Sequence, residues 1–301
     1  MHPSTYSRLR RYPDHDSLGE PVMTRRKKRT YFVVLLAFLA SIYVGPASAG
    51  LKVFTCHEEW AVLAETLGGE KVSVFAPETR APNSRRVQVP GSIVTILKSS
   101  DAVLCSSNYK WLADAIKKSG NKNIQEGAPG FIRTDKLVPL DRIEDGHSSH
   151  VHYNRYVHSD PKRLRVIAGQ TAARFIQLDP DSTDVYRANA KNFIHELGNM
   201  IGELEKEAGR LSGKSVVGDV YSYYLLDWLG LKVTTSIEIA EERESTAVIH
   251  TKFGSPEDYQ AFAKQRGVLS INIPFAPARG SNVKTFDQFF RTAITQLVNN
   301  L

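Results

Sequence analysis

The chain has 301 residues, 39 of them Lys or Arg against 32 Asp or Glu, for a formal net charge of +7. Eight of the basic and three of the acidic residues fall in the first 49, so the rest carries 31 against 29 and a net +2, which removes the case for a nucleic-acid partner. About 250 residues beyond that segment can bury one large core or two medium ones.

Arg25, Arg26, Lys27, Lys28 and Arg29 precede an apolar run from Tyr31 to Val44. Ala47, Ser48 and Ala49 then supply the small residues that a signal peptidase reads, and the run is short for a membrane span. The pattern predicts a cleaved export signal over 1–49, with Met23 as an alternative start. Gly50 rather than a cysteine stands directly after the cleavage point, so the product is expected to be soluble and unlipidated.

Leu51 to Cys56 is a short apolar run, followed by a helical pattern through Trp60, Leu63, Ala64 and Leu67 that stops at Gly68-Gly69. A second strand is expected from Lys71 to Ala76, completing a β-α-β unit. A Pro- and Arg-rich loop over 77–90 leads into a helix from Ser92 to Lys98 and a third strand from Ala102 to Cys105. Another helix ends at Gly120, with an extended piece near Asn123 to Gln125. Between Gly127 and Asp160 regularity fails, which marks a lobe boundary or a functional loop.

Pro161 opens a helix with Asp160 as its cap. The longest helical pattern follows, from Asp181 to Leu211, with Tyr186, Ala190, Phe193, Leu197, Ile201, Leu204, Ala208 and Leu211 on one face. Asp181 and Ser182 suit its start and Gly213 its stop. At 1.5 Å per residue it is about 45 Å long, more than one small domain needs. It reads as a spine between two lobes, although a long surface helix of one domain would show the same pattern. Strands then follow at 215–220, 232–237, 246–252 and 268–273, with helices at 221–229, 256–265 and 285–301. Alternation of this kind predicts an α/β fold: two β/α lobes with parallel sheets, joined by a long rigid helix, with a ligand cleft between them. The boundaries expected are 50–160 for the first lobe, 161–213 for the helical linker and 214–301 for the second lobe.

The densest set of potential ligands is His147, His150, His152 and His158, four of the seven histidines beyond the leader. Neutral imidazole suits zinc and related ions, and a solvated polar loop is the competing reading. Cys56 and Cys105 each end an expected strand, near the mouth of the crevice if those strands are neighbours. In an oxidising compartment a disulfide leads, ahead of buried thiols and of metal ligation with the adjacent His57. Asp219 ends the first strand of the second lobe, as a cleft carboxylate or a helix cap. His195 and His250 read as structural. No nucleophile elbow, P-loop or dinucleotide glycine fingerprint is present, so no enzymatic activity is supported.

The segments LKVFTC, VPGSIVTILKSSDAVLC, VHYNRYVHSDP, LDPDSTDVYRANAKNFIHELGNMIGELEKE and LSGKSVVGDVYSYYLLDWLGLKV resemble, in order, the solute-binding proteins of zinc and manganese ABC importers. The resemblance covers nearly all of the chain beyond the leader. It implies a periplasmic, monomeric protein that captures a divalent metal between two lobes and delivers it to an importer permease in the membrane. The family's ligands are three histidines and a carboxylate. Here Ala81-Pro82-Asn83 stands for the family's Asp-Pro-His. Tyr156 stands at the next histidine, with His158 two residues later, and Ile273-Pro274 replaces a late Asp-Pro; only Asp219 falls on a family position with a competent ligand. The family helix between Ile237 and Thr246 is replaced by EIAEERES.

The resemblance therefore implies His158 and Asp219 closing on zinc or a similar ion from opposite lobes, with His147, His150 and His152 capturing it. Asn83, Cys56, His57 or Cys105 would complete the set. The alternative is a metal chelate or small organic solute among Arg85, Arg86, Arg155 and Tyr156, because guanidinium and phenol groups suit carboxylates and rings. A partner protein outside transport is a further class.

Overall fold

The computed structural model describes residues 50–77, 89–107, 109–143 and 152–301. The expected leader, Asn83, Arg85, Arg86, His147, His150 and the side chain of His152 lie outside the described residues.

The first sheet has four parallel strands in the order β2-β1-β3-β4: β1 Leu51–Thr55, β2 Val72–Phe75, β3 Ala102–Cys105 and β4 Phe131–Arg133. β4 falls where the sequence pattern shows no regularity, because three residues are too few to display a period of two. The helices of this lobe are α1 Glu58–Gly68, α2 Gly91–Lys98 and α3 Lys110–Ser119. The piece near Asn123 is a 3-10 turn, Lys122–Ile124, rather than a strand; the side chain of Asn121 accepts from the amide of Asn123 and curls the backbone. A two-stranded antiparallel ribbon, β5 Arg142–Ile143 with β6 His152–Tyr153, follows.

Next come α4 Pro161–Leu178 and α5 Thr183–Glu207, with 3-10 turns extending α5 from Pro180 to Leu211. Asp160 caps α4 as expected, its Oδ1 accepting from the amides of Lys162 and Arg163 at 2.7 and 3.1 Å. Ser182 makes no side-chain cap on α5; instead Thr183 Oγ1 donates to the Pro180 carbonyl at 2.7 Å, inside the 3-10 turn. Gly213 follows at φ +82°, a left-handed turn that glycine makes without strain.

The second sheet is also parallel, in the order β10-β9-β7-β8: β7 Ser215–Gly218, β8 Lys232–Thr234, β9 Ala247–His250 and β10 Leu269–Asn272. Its helices are α6 Tyr223–Trp228, α7 Ile237–Ala240, α8 Pro256–Arg266 and α9 Phe286–Asn300. α7 is a correction: a single turn forms where no helix was expected. Ser236 Oγ accepts from the Ile239 amide at 3.3 Å, and β8 stops at Thr234 to allow it.

The long helix serves both sheets. Near its start Tyr186 is fully buried; its hydroxyl donates to the Asp179 carboxylate at 2.7 Å, with the Lys71 carbonyl of the first lobe at 3.2 Å, and Asn189 Nδ2 reaches the Leu67 carbonyl. Farther along, Phe193 meets Phe286 of α9 edge-on and Glu203 pairs with Arg291. One apolar cluster runs through these contacts, from Val53 and Trp60 past Tyr186, Leu197 and Leu204 to Val216, Phe289 and Leu297. The two lobes are therefore held by one continuous core with the long helix along it, which is the spine arrangement.

Candidate functional site

In a parallel sheet, side chains that project beyond the carboxyl ends of the strands line the crevice. β1 runs out into Cys56 and His57, β3 ends at Cys105 and continues to Ser106, β7 leads to Asp219 and β9 to Thr251.

Cys56 and Cys105 form a disulfide with a Cα separation of 5.1 Å, tying neighbouring strand ends β1 and β3. The expected pairing is present, and it leaves neither sulfur as a thiolate able to hold a metal. Just beyond it, His57 Nε2 lies 3.2 Å from the Tyr109 hydroxyl, Tyr109 stacks on Trp111, and Trp60 Nε1 donates to Ser106 Oγ at 2.7 Å. Burial pushes the His57 imidazole down to about 4. It pushes the Tyr109 phenol well above its ordinary range, with the charge of Glu59 adding to the effect. Glu59 is 3% exposed, and burial raises its carboxyl to about 8, so it is largely protonated at neutral pH.

His158 sits in the 3-10 turn Val157–Ser159 just before α4 and has no exposed surface. Its ring is enclosed by Phe275 at 4.9 Å, Trp60 at 6.1 Å and Phe289 at 6.3 Å between centroids. Nε2 lies 3.1 Å from the Phe275 carbonyl. A carbonyl only accepts, so the proton is on Nε2 and the lone pair on Nδ1, which is buried with no partner among the described residues. Burial, with a small contribution from His57, lowers the imidazole to about 4 and keeps the ring neutral; the Phe275 bond opposes the shift.

Asp219 is 1% exposed and already committed. Oδ1 accepts from the Ser222 amide at 2.8 Å, and Oδ2 accepts from the Thr251 amide at 2.6 Å and from the Thr251 hydroxyl at 2.8 Å. Asp219 therefore braces the turn ahead of α6, whose N-cap residue is Ser222 with no side-chain cap, and reaches across to the end of β9, rather than capping a helix from Tyr221 onward. His158 and Asp219 thus spend their hydrogen bonds on separate partners. Among the described residues no group of three or more His, Cys, Asp or Glu side chains is placed to hold a metal ion.

Aromatic rings occupy the intervening region. Tyr156 packs on Tyr221 at 4.5 Å, and Phe275 meets Tyr221 at 5.5 Å and Phe253 at 4.9 Å. Burial pushes the Tyr156 phenol far above its ordinary range. Arg155, beside it, is exposed. Two neutral bridges join the lobes here: Asn154 Nδ2 donates to the Val220 carbonyl at 2.8 Å and the Tyr224 hydroxyl donates to the Asn154 carbonyl at 3.0 Å. Sequence reasoning missed Tyr109, Phe275 and Glu59. For Tyr109 the signal was available, as it follows the end of β3; for Phe275 and Glu59 only packing reveals the role.

Residues 53–253 match the family described as ZnuA, zinc-uptake complex component A, periplasmic. Among solved structures, a crystal structure of ZnuA superposes with a TM-score of 0.66 at 16% identity, covering 83% of this chain and 99% of that one. The laminin-binding protein Lmb of Streptococcus agalactiae, described as a bifunctional protein with adhesin and metal-transporting activity, gives 0.68 at 17% identity, with 83% and 99% covered. A Cd-bound periplasmic metal-binding protein from Candidatus Liberibacter asiaticus gives 0.65 at 14%, with 83% and 98% covered. Identities this low establish a shared fold. No curated protein sequence matches the chain significantly.

Proposed function

Because the chain belongs to the ZnuA family, the periplasmic component A of zinc-uptake complexes, we propose that it is the solute-capturing component of an ABC importer, with a divalent transition-metal ion as cargo and His158 as the capturing residue. The reading includes export by the 1–49 leader, delivery to a membrane permease, and no catalytic step. No helix among the described residues is long and apolar enough to cross a membrane.

One observation carries this reading: His158 donates Nε2–H to a backbone carbonyl and keeps an Nδ1 lone pair that has no partner among the described residues. Metal-binding histidines are oriented in this way, the second nitrogen fixing the tautomer so that the first faces the ion. The ring is neutral at periplasmic pH, so no proton competes for that lone pair. One imidazole is not a site, since zinc takes about four ligands. His147, His150, His152 and Asn83 are the remaining candidates of the proposed set, with His57 beside the cleft. Asp219 enters only by giving up its bonds to Thr251.

The test is calorimetric titration of untagged protein with zinc and manganese, with His158→Gln in parallel. Tight binding that weakens at least about tenfold in the variant, one missing ligand being worth that or more, supports the reading. Equal affinity in both proteins removes His158 as ligand, and no binding of any cation removes the bare ion as cargo.

A second reading rests on a different observation, the ring-lined face of Tyr156, Tyr221, Phe253 and Phe275 beside exposed Arg155. That lining fits a chelated metal or a small organic anion. The same titration with the metals presented as citrate complexes separates it from the first.

A further inference from the structure

The segment over residues 273–283 connects β10 to α9 and touches both lobes. Its internal bonds make it a small rigid body: the Ala278 amide donates to the Val283 carbonyl at 2.9 Å, and Ser281 Oγ reaches the carbonyls of Ala278 and Val283 at 3.0 and 2.7 Å. At one end Phe275 covers His158, holding its Nε2–H through the carbonyl and its ring edge-on at 4.9 Å. At the other end Arg279 crosses to α1 of the first lobe. Its Nε and Nη2 donate to the two oxygens of Glu58 at 2.8 Å each, its amide donates to Glu58 Oε2 at 3.3 Å, and Nη1 reaches Glu65 Oε1 at 3.0 Å and the Val74 carbonyl at 3.5 Å.

The two ends differ in kind. A two-pronged guanidinium–carboxylate pair is directional and holds one register. Arg279, Glu58 and Glu65 are nevertheless 34, 35 and 43% exposed, so water and salt compete for every charge. Such a clasp opens far more easily than a buried pair would. Phe275, by contrast, closes off a side chain with no exposed surface and a lone pair without a partner among the described residues.

We propose that residues 273–283 form a strap over His158, with Arg279 clasped on Glu58 and Glu65 as its fastening, and that solute reaches His158 when the clasp is released. The strap takes its biological meaning from His158 as the capturing residue, but its test needs no cargo. Hydrogen exchange of the 275–283 amides and carbethoxylation of His158 by diethyl pyrocarbonate, resolved by peptide mapping, are followed in wild type, in Arg279→Ala and in a Glu58→Gln/Glu65→Gln double variant that keeps the arginine.

Both rates are expected to rise about fivefold in each variant, as loss of several partly exposed ion pairs allows, while the amides of β9 do not change. In wild type alone, about 1 M salt should raise them in the same way. Unchanged rates in the double variant, or a rise shared equally by the β9 amides, overturns the strap. A protein that binds no cation but shows the local rise loses the capture reading and keeps the strap.

Discussion

Gly254 lies against the carboxylate of Asp219 so closely that a Cβ built on it would stand 2.2 Å from Oδ2 and 2.7 Å from Cγ. The carboxylate cannot yield without losing its bonds to Thr251, which join the ends of β7 and β9. Gly254→Ala is therefore expected to destabilise the second lobe by about 1–3 kcal/mol, the range for overpacking a filled site. Urea unfolding of the variant measures this directly. A fall below about 0.5 kcal/mol, the range of neutral surface changes, would show that Asp219 has room to move toward a ligand.

The Cys56–Cys105 bridge closes a long loop, its two ends separated by 49 residues. Chain-entropy arguments put such a cross-link at about 4 kcal/mol, with about 2 as a common measured value. The Cys56→Ala/Cys105→Ala variant should lose stability in that range. Because the bridge ties the strand ends that carry His57 and Ser106, solvent quenching of Trp60 should also increase. Equal quenching in both proteins would mean that the bridge stabilises the lobe without positioning the cleft wall.

Stability should pass through a maximum near pH 6.5. Folded Glu59 keeps its proton up to about pH 8, while the unfolded chain releases it near 4.5, so its contribution is whole below 4.5 and is lost as pH rises toward 8. His57 and His158 act in the opposite sense. The unfolded chain protonates them near 6.5 and the folded one only near 4, so their contribution is whole above 6.5 and is lost as pH falls. Between 4.5 and 6.5 two histidines outweigh one glutamate; above 6.5 Glu59 acts alone, at no more than about 1.4 kcal/mol per pH unit. Urea midpoints across this range should trace the curve, and Glu59→Gln should flatten its alkaline side and steepen its acid side, where Glu59 no longer opposes the two histidines.

Tyr186 fastens the long helix to the first lobe through one hydroxyl. Tyr186→Phe removes that hydroxyl and leaves the Asp179 carboxylate short of a donor, so a loss of about 1–2 kcal/mol is expected with unchanged helical content. Arg291→Ala, at the other end of the same helix, removes ion pairs to Glu203 and Asp287 that are about half exposed, and should cost less than about 1 kcal/mol. A larger loss from Arg291 than from Tyr186 would put the main fastening in the second lobe.

The alternation of apolar runs with helical periods was enough to read two parallel sheets and the long helix, because those patterns are set by which residues must leave water along one element. Asp160 and Gly213 were legible for the same local reason: a helix end exposes its own amides, and a left-handed turn selects glycine. The pairing of Cys56 with Cys105 could be favoured but not fixed, since it depends on β1 and β3 being neighbours.

Other features belong to the tertiary structure alone. Whether Asp219 faces a cleft or caps Thr251, which nitrogen of His158 carries the proton, and that Arg279 meets Glu58 all turn on chain segments brought together from 32 to 221 residues apart. A sequence pattern records the side an element buries. It does not record which buried polar atom finds which partner, and in this protein that choice separates a ligand from a brace.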